Sequence, residues 1–114
     1  MRSRAGEVRR HLENRFMLDV DRYKNDIELL CRELSLTRLD LVGSAARSDF
    51  NENSDIDVLV TFSGDSALFS RYFELKERLE KLFEREVDVI EERAIKNPYF
   101  RMSIEKDRIN LYGN

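Results

Sequence analysis

Residues 39–62 read LDLVGSAARSDFNENSDIDVLVTF, two apolar stretches either side of a polar segment. Residues 39–42 make a short strand candidate closed by Gly43 and Ser44, and residues 56–62, rich in β-branched side chains, make a stronger one. Residues 48–54 between them are polar and read as a loop. Gly43 lets the backbone approach a bulky anion closely and Ser44 adds a hydroxyl beside its own N–H, so at a strand end the pair can cradle triphosphate oxygens. Asp55 and Asp57 are two apart at the start of the second strand, a spacing that puts both carboxylates on one face while Ile56, Val58 and Val60 take the other. Two hard oxygen donors pointing together suit magnesium, which is held by one or two carboxylates plus substrate phosphates.

The rest of the chain supplies elements to pack around these strands. Val8, Leu12, Phe16, Val20, Tyr23, Ile27, Leu30 and Leu34 recur every three or four residues, an apolar stripe of helical period. Unbroken, that helix would be about 40 Å long, longer than so small a domain covers, so either it breaks near residues 17–19 or its first half reaches a partner. After the turn cluster at residues 63–66, Leu68, Phe69, Tyr72, Phe73, Leu75, Leu79, Leu82 and Phe83 mark a second helix. On it, Glu74 with Arg78 and Glu77 with Lys81 are four apart and read as a solvated face. Residues 87–90 form a third strand candidate, interrupted by one acid, Asp88. If this strand pairs beside the one carrying Asp57, Asp88 can join Asp57 on one metal and accept the proton of an incoming hydroxyl. Asn97 followed by Pro98 predicts a helix start, with the helix running through about Lys106, and residues 109–112 make a last strand. The order α, β, β, α, β, α, β predicts an α+β domain, a small mixed β-sheet packed by helices.

With 114 residues the chain fits one domain. It divides into an N-terminal helical extension over residues 1–26 and a core over residues 27–112. A hydrophobic share of 41% supports a folded core, and a net charge of -3 disfavours a nucleic-acid partner gripped by a basic face. Cys31 is the single cysteine, which excludes an internal disulfide and fits a reducing, cytoplasmic setting. No apolar run reaches the roughly 18 residues that would indicate a membrane span.

Taken together, Gly43-Ser44, Ala46-Arg47, Ser54-Asp55-Ile56-Asp57 and Asp88 resemble the pattern of the minimal nucleotidyltransferases of the polymerase-β superfamily, antitoxins beside HEPN-domain toxins. The resemblance covers about residues 27–112, and one position departs from it: Ser48 stands where the family carries glycine. It implies a polymerase-β-like nucleotidyltransferase fold and transfer of AMP from ATP to a tyrosine of a cognate HEPN toxin. By the same resemblance Asp55, Asp57 and Asp88 are the catalytic acids and hold two magnesium ions, with Asp88 activating the acceptor. Gly43 and Ser44 bind the β and γ phosphates of the nucleotide, and Arg47 assists.

Each element taken singly has a blander reading. An Asp-any-Asp pair by itself is ordinary turn or surface chemistry, and a lone arginine such as Arg47 is ordinarily a surface residue. The long aromatic side chains Phe69, Tyr72, Phe73 and Phe83 at helical spacing read as core, Tyr99, Phe100 and Tyr112 as packing, and His11 as a solvated or partner-facing side chain. A second functional class therefore stands beside the enzyme: a binding module that neutralises a toxin by contact, with its metal site idle. Three acids predicted to converge favour the enzyme, because a pure binding surface has no need of mutually repelling carboxylates.

Overall fold

The protein is described by a computed structural model covering residues 20–47 and 53–113. Val8, His11, Leu12, Phe16, the expected break at residues 17–19 and Ser48 lie outside the described residues. A 3-10 turn at Val20–Tyr23 leads into helix α1 (Lys24–Glu33), so the stripe from Val20 to Leu34 runs through two helical geometries and not one. Ser35 ends α1 in the left-handed region, φ 56°, and strand β1 (Leu36–Val42) starts immediately after it. The strand is three residues longer than the sequence reading because Thr37 and Arg38 break the apolar run without breaking the strand. Strand β2 (Ile56–Phe62), helix α2 (Leu68–Phe83), strand β3 (Val87–Glu91), helix α3 (Pro98–Lys106) and strand β4 (Ile109–Gly113) follow in the expected order. Asn97 caps α3 as anticipated, its side-chain oxygen accepting from the N–H of Tyr99 at 2.9 Å and of Phe100 at 3.3 Å.

The sheet order is β3-β2-β1-β4, with β1 antiparallel to both β2 and β4, and β2 parallel to β3 through the α2 crossover. Its two faces are unequal. On one, α1 and α2 bury Ile27, Leu30, Cys31, Leu75, Leu79 and Phe83 against Leu39, Leu41, Ile56, Val58, Val60 and Val87. Each such side chain contributes about 1.5–3 kcal/mol relative to exposure, so this layer holds the domain together. The other face carries a smaller cluster, Val42, Leu59 and Ile104 with Ile90 and Ile95, under the short helix α3. Asp57 and Asp88 emerge on this thinly covered face.

Two groups of aromatics depart from the sequence reading. Phe69 and Phe73 are 78% and 50% exposed, because the stripe of α2 that meets the sheet runs through Tyr72, Leu75, Leu79 and Phe83 and leaves these two one residue round the helix. They pack on each other, ring centroids 4.7 Å apart. Tyr99 and Phe100 are exposed because α3 turns Ile104 inward. Tyr112 does pack against the main core.

Arg71 ties the loops at one end of the sheet. Its guanidinium donates to the carbonyls of Ser66, Leu34, Ser35, Ser63 and Gly64 at 3.0 to 3.3 Å and lies 5.0 Å from the centre of the Phe62 ring. Arg71→Ala is expected to lower stability by about 2 kcal/mol in urea titration. Arg71→Lys recovers a minor part, since one ammonium cannot reach five carbonyls on two loops.

Candidate active site

The site is built where β1 and β2 end or begin on the thinly covered face. β1 stops at Val42, and Gly43–Ala46 forms a 3-10 turn closed by a bond from the N–H of Arg47 to the carbonyl of Ser44, 3.0 Å. Gly43 has φ +70°, a conformation that side chains disfavour, and a Cβ placed on it would lie 2.4 Å from Oδ2 of Asp57. The backbone conformation is what calls for glycine here, and its missing side chain lets the Asp57 carboxylate pack against it. The close approach follows from register, since Val42 and Asp57 are partners across the antiparallel pair.

On the other side, Asp57 and Asp88 are direct partners in the parallel β2–β3 ladder, so their side chains stand on the same face. They are close enough to hydrogen-bond when one is protonated. The Asp57 carboxyl is pushed above the usual aspartate range, first by burial, then by the Asp88 charge and the hydrogen bond with Asp88, and to a lesser degree by Asp55; the Arg47 guanidinium pulls it back. That one group feels three of the anticipated site residues places Asp55, Asp57, Asp88 and Arg47 in one neighbourhood.

Asp55 precedes β2 by one residue and is exposed at the mouth of the site. Its approach is fixed from two directions: Arg85 donates to the carbonyl of Ser54 at 3.1 Å, and the N–H of Ile56 donates to the carbonyl of Glu86 at 3.1 Å. Among the described residues no three His, Cys, Asp or Glu side chains form a ready-made cation cage. The donor set nevertheless suits a hard cation that brings its remaining ligands with it: two carboxylates side by side in the ladder, beside a glycine that keeps the space over Asp57 free of side chain. Arg47, at the end of the Gly43 turn, pairs with Asp107 at 3.5 Å.

The sequence pattern did not expose Asp107, which lies just after α3, or the group behind it. Asp40 on β1 is fully buried and is met by Arg108, Arg38 and Asn110. Nothing in local spacing links Asp40 to a residue 68 positions away. Cys31, by contrast, is inert: it lies on the buried face of α1, and burial pushes its thiol up to about 12.

The nucleotidyltransferase domain family matches residues 25–111. Two provisionally named protein adenylyltransferases of Methanocaldococcus jannaschii are similar to this chain. One is 47% identical over 70 residues, covering 60% of this chain and 70% of its own length; the other is 38% identical over 82 residues, covering 72% and 83%. A solved structure provisionally identified as a minimal nucleotidyltransferase superposes with TM-score 0.67 at 28% identity, covering 81% of this chain and 95% of its own. A toxin-antitoxin structure with AMP-PNP superposes with TM-score 0.64 at 25% identity, covering 80% and 73%. No helix among the described residues is long and apolar enough to cross a membrane. With the motif residues gathered at one end of a matching sheet, and the family matched over most of the length, this chain belongs to the nucleotidyltransferase domain family, as one of its minimal members.

Proposed function

We propose that this chain transfers AMP from magnesium-bound ATP to a tyrosine hydroxyl of a HEPN-domain toxin and so acts as its antitoxin. The observation that carries the reading is the in-register pair Asp57 and Asp88, with Gly43 packed on the first of them. The protein adenylyltransferase names of its relatives and the toxin-antitoxin complex with AMP-PNP support it.

In this reading Gly43 and Ser44 cradle the β and γ phosphates with backbone N–H groups and a hydroxyl, and Arg47 adds positive charge at the same end. Asp55, Asp57 and Asp88 would hold magnesium, which when bound supplies neutralisation of the phosphate charge. Asp88 accepts the proton of the acceptor hydroxyl as its oxygen attacks the α phosphorus; the bond to the bridging oxygen breaks and pyrophosphate leaves. Asp88 suits this part because it is exposed, open to a hydroxyl brought from outside the domain, whereas Asp57 is half-buried. The partner supplies the acceptor, and docking it beside Asp88 supplies proximity.

Mass spectrometry of the chain co-expressed with a HEPN-domain toxin tests this. A mass increment of whole AMP units on a toxin tyrosine is expected, and it disappears with Asp88→Asn. A toxin that is inhibited but carries no AMP would instead support the contact-only binding module.

A further inference from the structure

Strand β3 is an edge of the sheet, and it carries Asp88. An edge strand leaves every second residue's N–H and C=O without a ladder partner, and such a strand can shift or fray. Here three side chains of α2 take the place of a neighbouring strand. Tyr72, Lys76 and Glu80 are spaced four apart, hence on one line along the helix. Glu80 Oε2 accepts the N–H of Val87 at 3.0 Å, Lys76 Nζ donates to the carbonyl of Val87, and the Tyr72 hydroxyl donates to the carbonyl of Val89 at 3.2 Å. Lys76 and Glu80 also pair with each other at 3.1 Å.

We infer that Tyr72, Lys76 and Glu80 are positioning residues that bracket Asp88, fixing the backbone of Val87 and Val89 on either side of it so that its carboxylate stays opposite Asp57. The inference rests on the role given to Asp88 under the proposed function. Its geometry is specific. The two bracketed residues, Val87 and Val89, are those flanking Asp88, and both turn their side chains into the main core. The backbone of β3 is thus held from α2 by side-chain bonds, from the core by two valines and from β2 by the ladder. The freedom left to Asp88 is that of its own two torsions. The hydrogen bond and charge of Glu80 hold the Lys76 ammonium above the ordinary lysine range, so the pair stays ionised.

The test compares Glu80→Leu and Lys76→Met with Glu80→Gln, whose amide oxygen can still accept from Val87. The readouts are amide hydrogen exchange at Val87, Tm, and pyrophosphate release from ATP and magnesium by the complex with the co-expressed toxin. In Glu80→Leu exchange at Val87 is expected to quicken about tenfold or more, and in both of the first two variants Tm moves by only a few degrees. In the same variants kcat is expected to fall about 10- to 100-fold with KM for ATP unchanged. Glu80→Gln recovers both exchange and kcat. If Glu80→Leu does not fold, Tyr72→Phe, which removes the donor to the Val89 carbonyl, carries the kcat and KM comparison. Unchanged exchange, a rise in KM at constant kcat, or losses in Glu80→Gln as large as in Glu80→Leu would overturn the inference. Asp88→Asn separates the two failures. If that variant releases pyrophosphate at the full rate, the role of Asp88 itself is wrong; if it is inactive while the clamp variants keep their kcat, the positioning role alone is wrong.

Discussion

Asp57→Asn is expected to lower nucleotide transfer by about 10²–10⁴-fold while leaving the fold intact and slightly raising Tm in the absence of nucleotide and divalent cation. The two effects have one cause. In the free protein the Asp57 carboxylate is half-buried and faces Asp88 and Asp55, so its ionised form is disfavoured and its pKa is raised. An acid with a raised folded-state pKa adds stability below its ordinary value of 3.8 and withdraws it as pH rises through the folded value. At neutral pH the charged group therefore costs stability that an amide does not. The gain in Tm should be present above the raised pKa of Asp57 and vanish below pH 3.8. ATP with magnesium should stabilise the natural chain more than either does alone, because phosphates and carboxylates complete one site, and the substitution should abolish that difference. Full transfer by Asp57→Asn would remove the acids from the mechanism. A Tm lowered by many degrees would make Asp57 a structural residue.

Much of this site was legible because its residues are placed by local rules. Asp55 and Asp57 sit at a strand's beginning, Gly43 and Ser44 at a strand's end, and Asn97-Pro98 at a helix start; in each case period, turn chemistry or capping is enough. The alternation along β2 put Ile56, Val58 and Val60 opposite Asp57, as the main core requires. What period could not give is which strands lie side by side. The pairing of Asp57 with Asp88 was conditional on β3 lying next to β2, a matter of crossover topology. The same limit hid the contact of Arg47 with Asp107, the Tyr72, Lys76 and Glu80 line, and the partners of Asp40, all of them tertiary. It also misplaced Phe69 and Phe73: apolar residues at helical spacing were assigned to the core, but a helix on one side of a four-stranded sheet buries a narrower arc than its aromatics span. Glu74 and Arg78, read as a solvated pair, do pair at 3.5 Å, and Arg78 also reaches Glu33 of α1 at 2.7 Å.

The largest loss of stability is expected from Arg108→Met. Asp40 is the one charged side chain wholly buried among the described residues, on the same face of the sheet as the acids. Arg108 Nε and Nη2 both lie 2.7 Å from its Oδ2, and Asn110 Nδ2 donates to Oδ1 at 2.9 Å. The guanidinium continues to Glu92, at 2.6 and 3.1 Å, and to Glu105, at 2.8 Å. Arg38 Nε approaches Asp40 Oδ2 at 2.8 Å without hydrogen-bond alignment, so it supplies charge but none of the hydrogen bonds that Arg108 makes. Removing Arg108 takes away the aligned hydrogen bonds and one of two cations at a buried carboxylate, which is expected to cost about 3 kcal/mol, the low end for breaking a buried pair because the Arg38 charge stays beside Asp40, and still a large part of the roughly 5–15 kcal/mol that holds a domain folded. Adding Asp40→Leu should return much of that loss, because two apolar side chains bury no charge. Glu92 gives an acid signature of the same network: its hydrogen bonds to Arg108 hold its carboxyl below the usual glutamate range. That contribution is present above pH 4.5 and lost as pH falls through the lower folded value, so Arg108→Met should flatten the acid limb of the stability curve. Because Asp107, the neighbour of Arg108, holds Arg47, the variant assayed cold, where it remains folded, should also transfer AMP more slowly. A loss below about 1 kcal/mol in urea titration would mean that water reaches Asp40 and that Arg108 behaves as a surface pair.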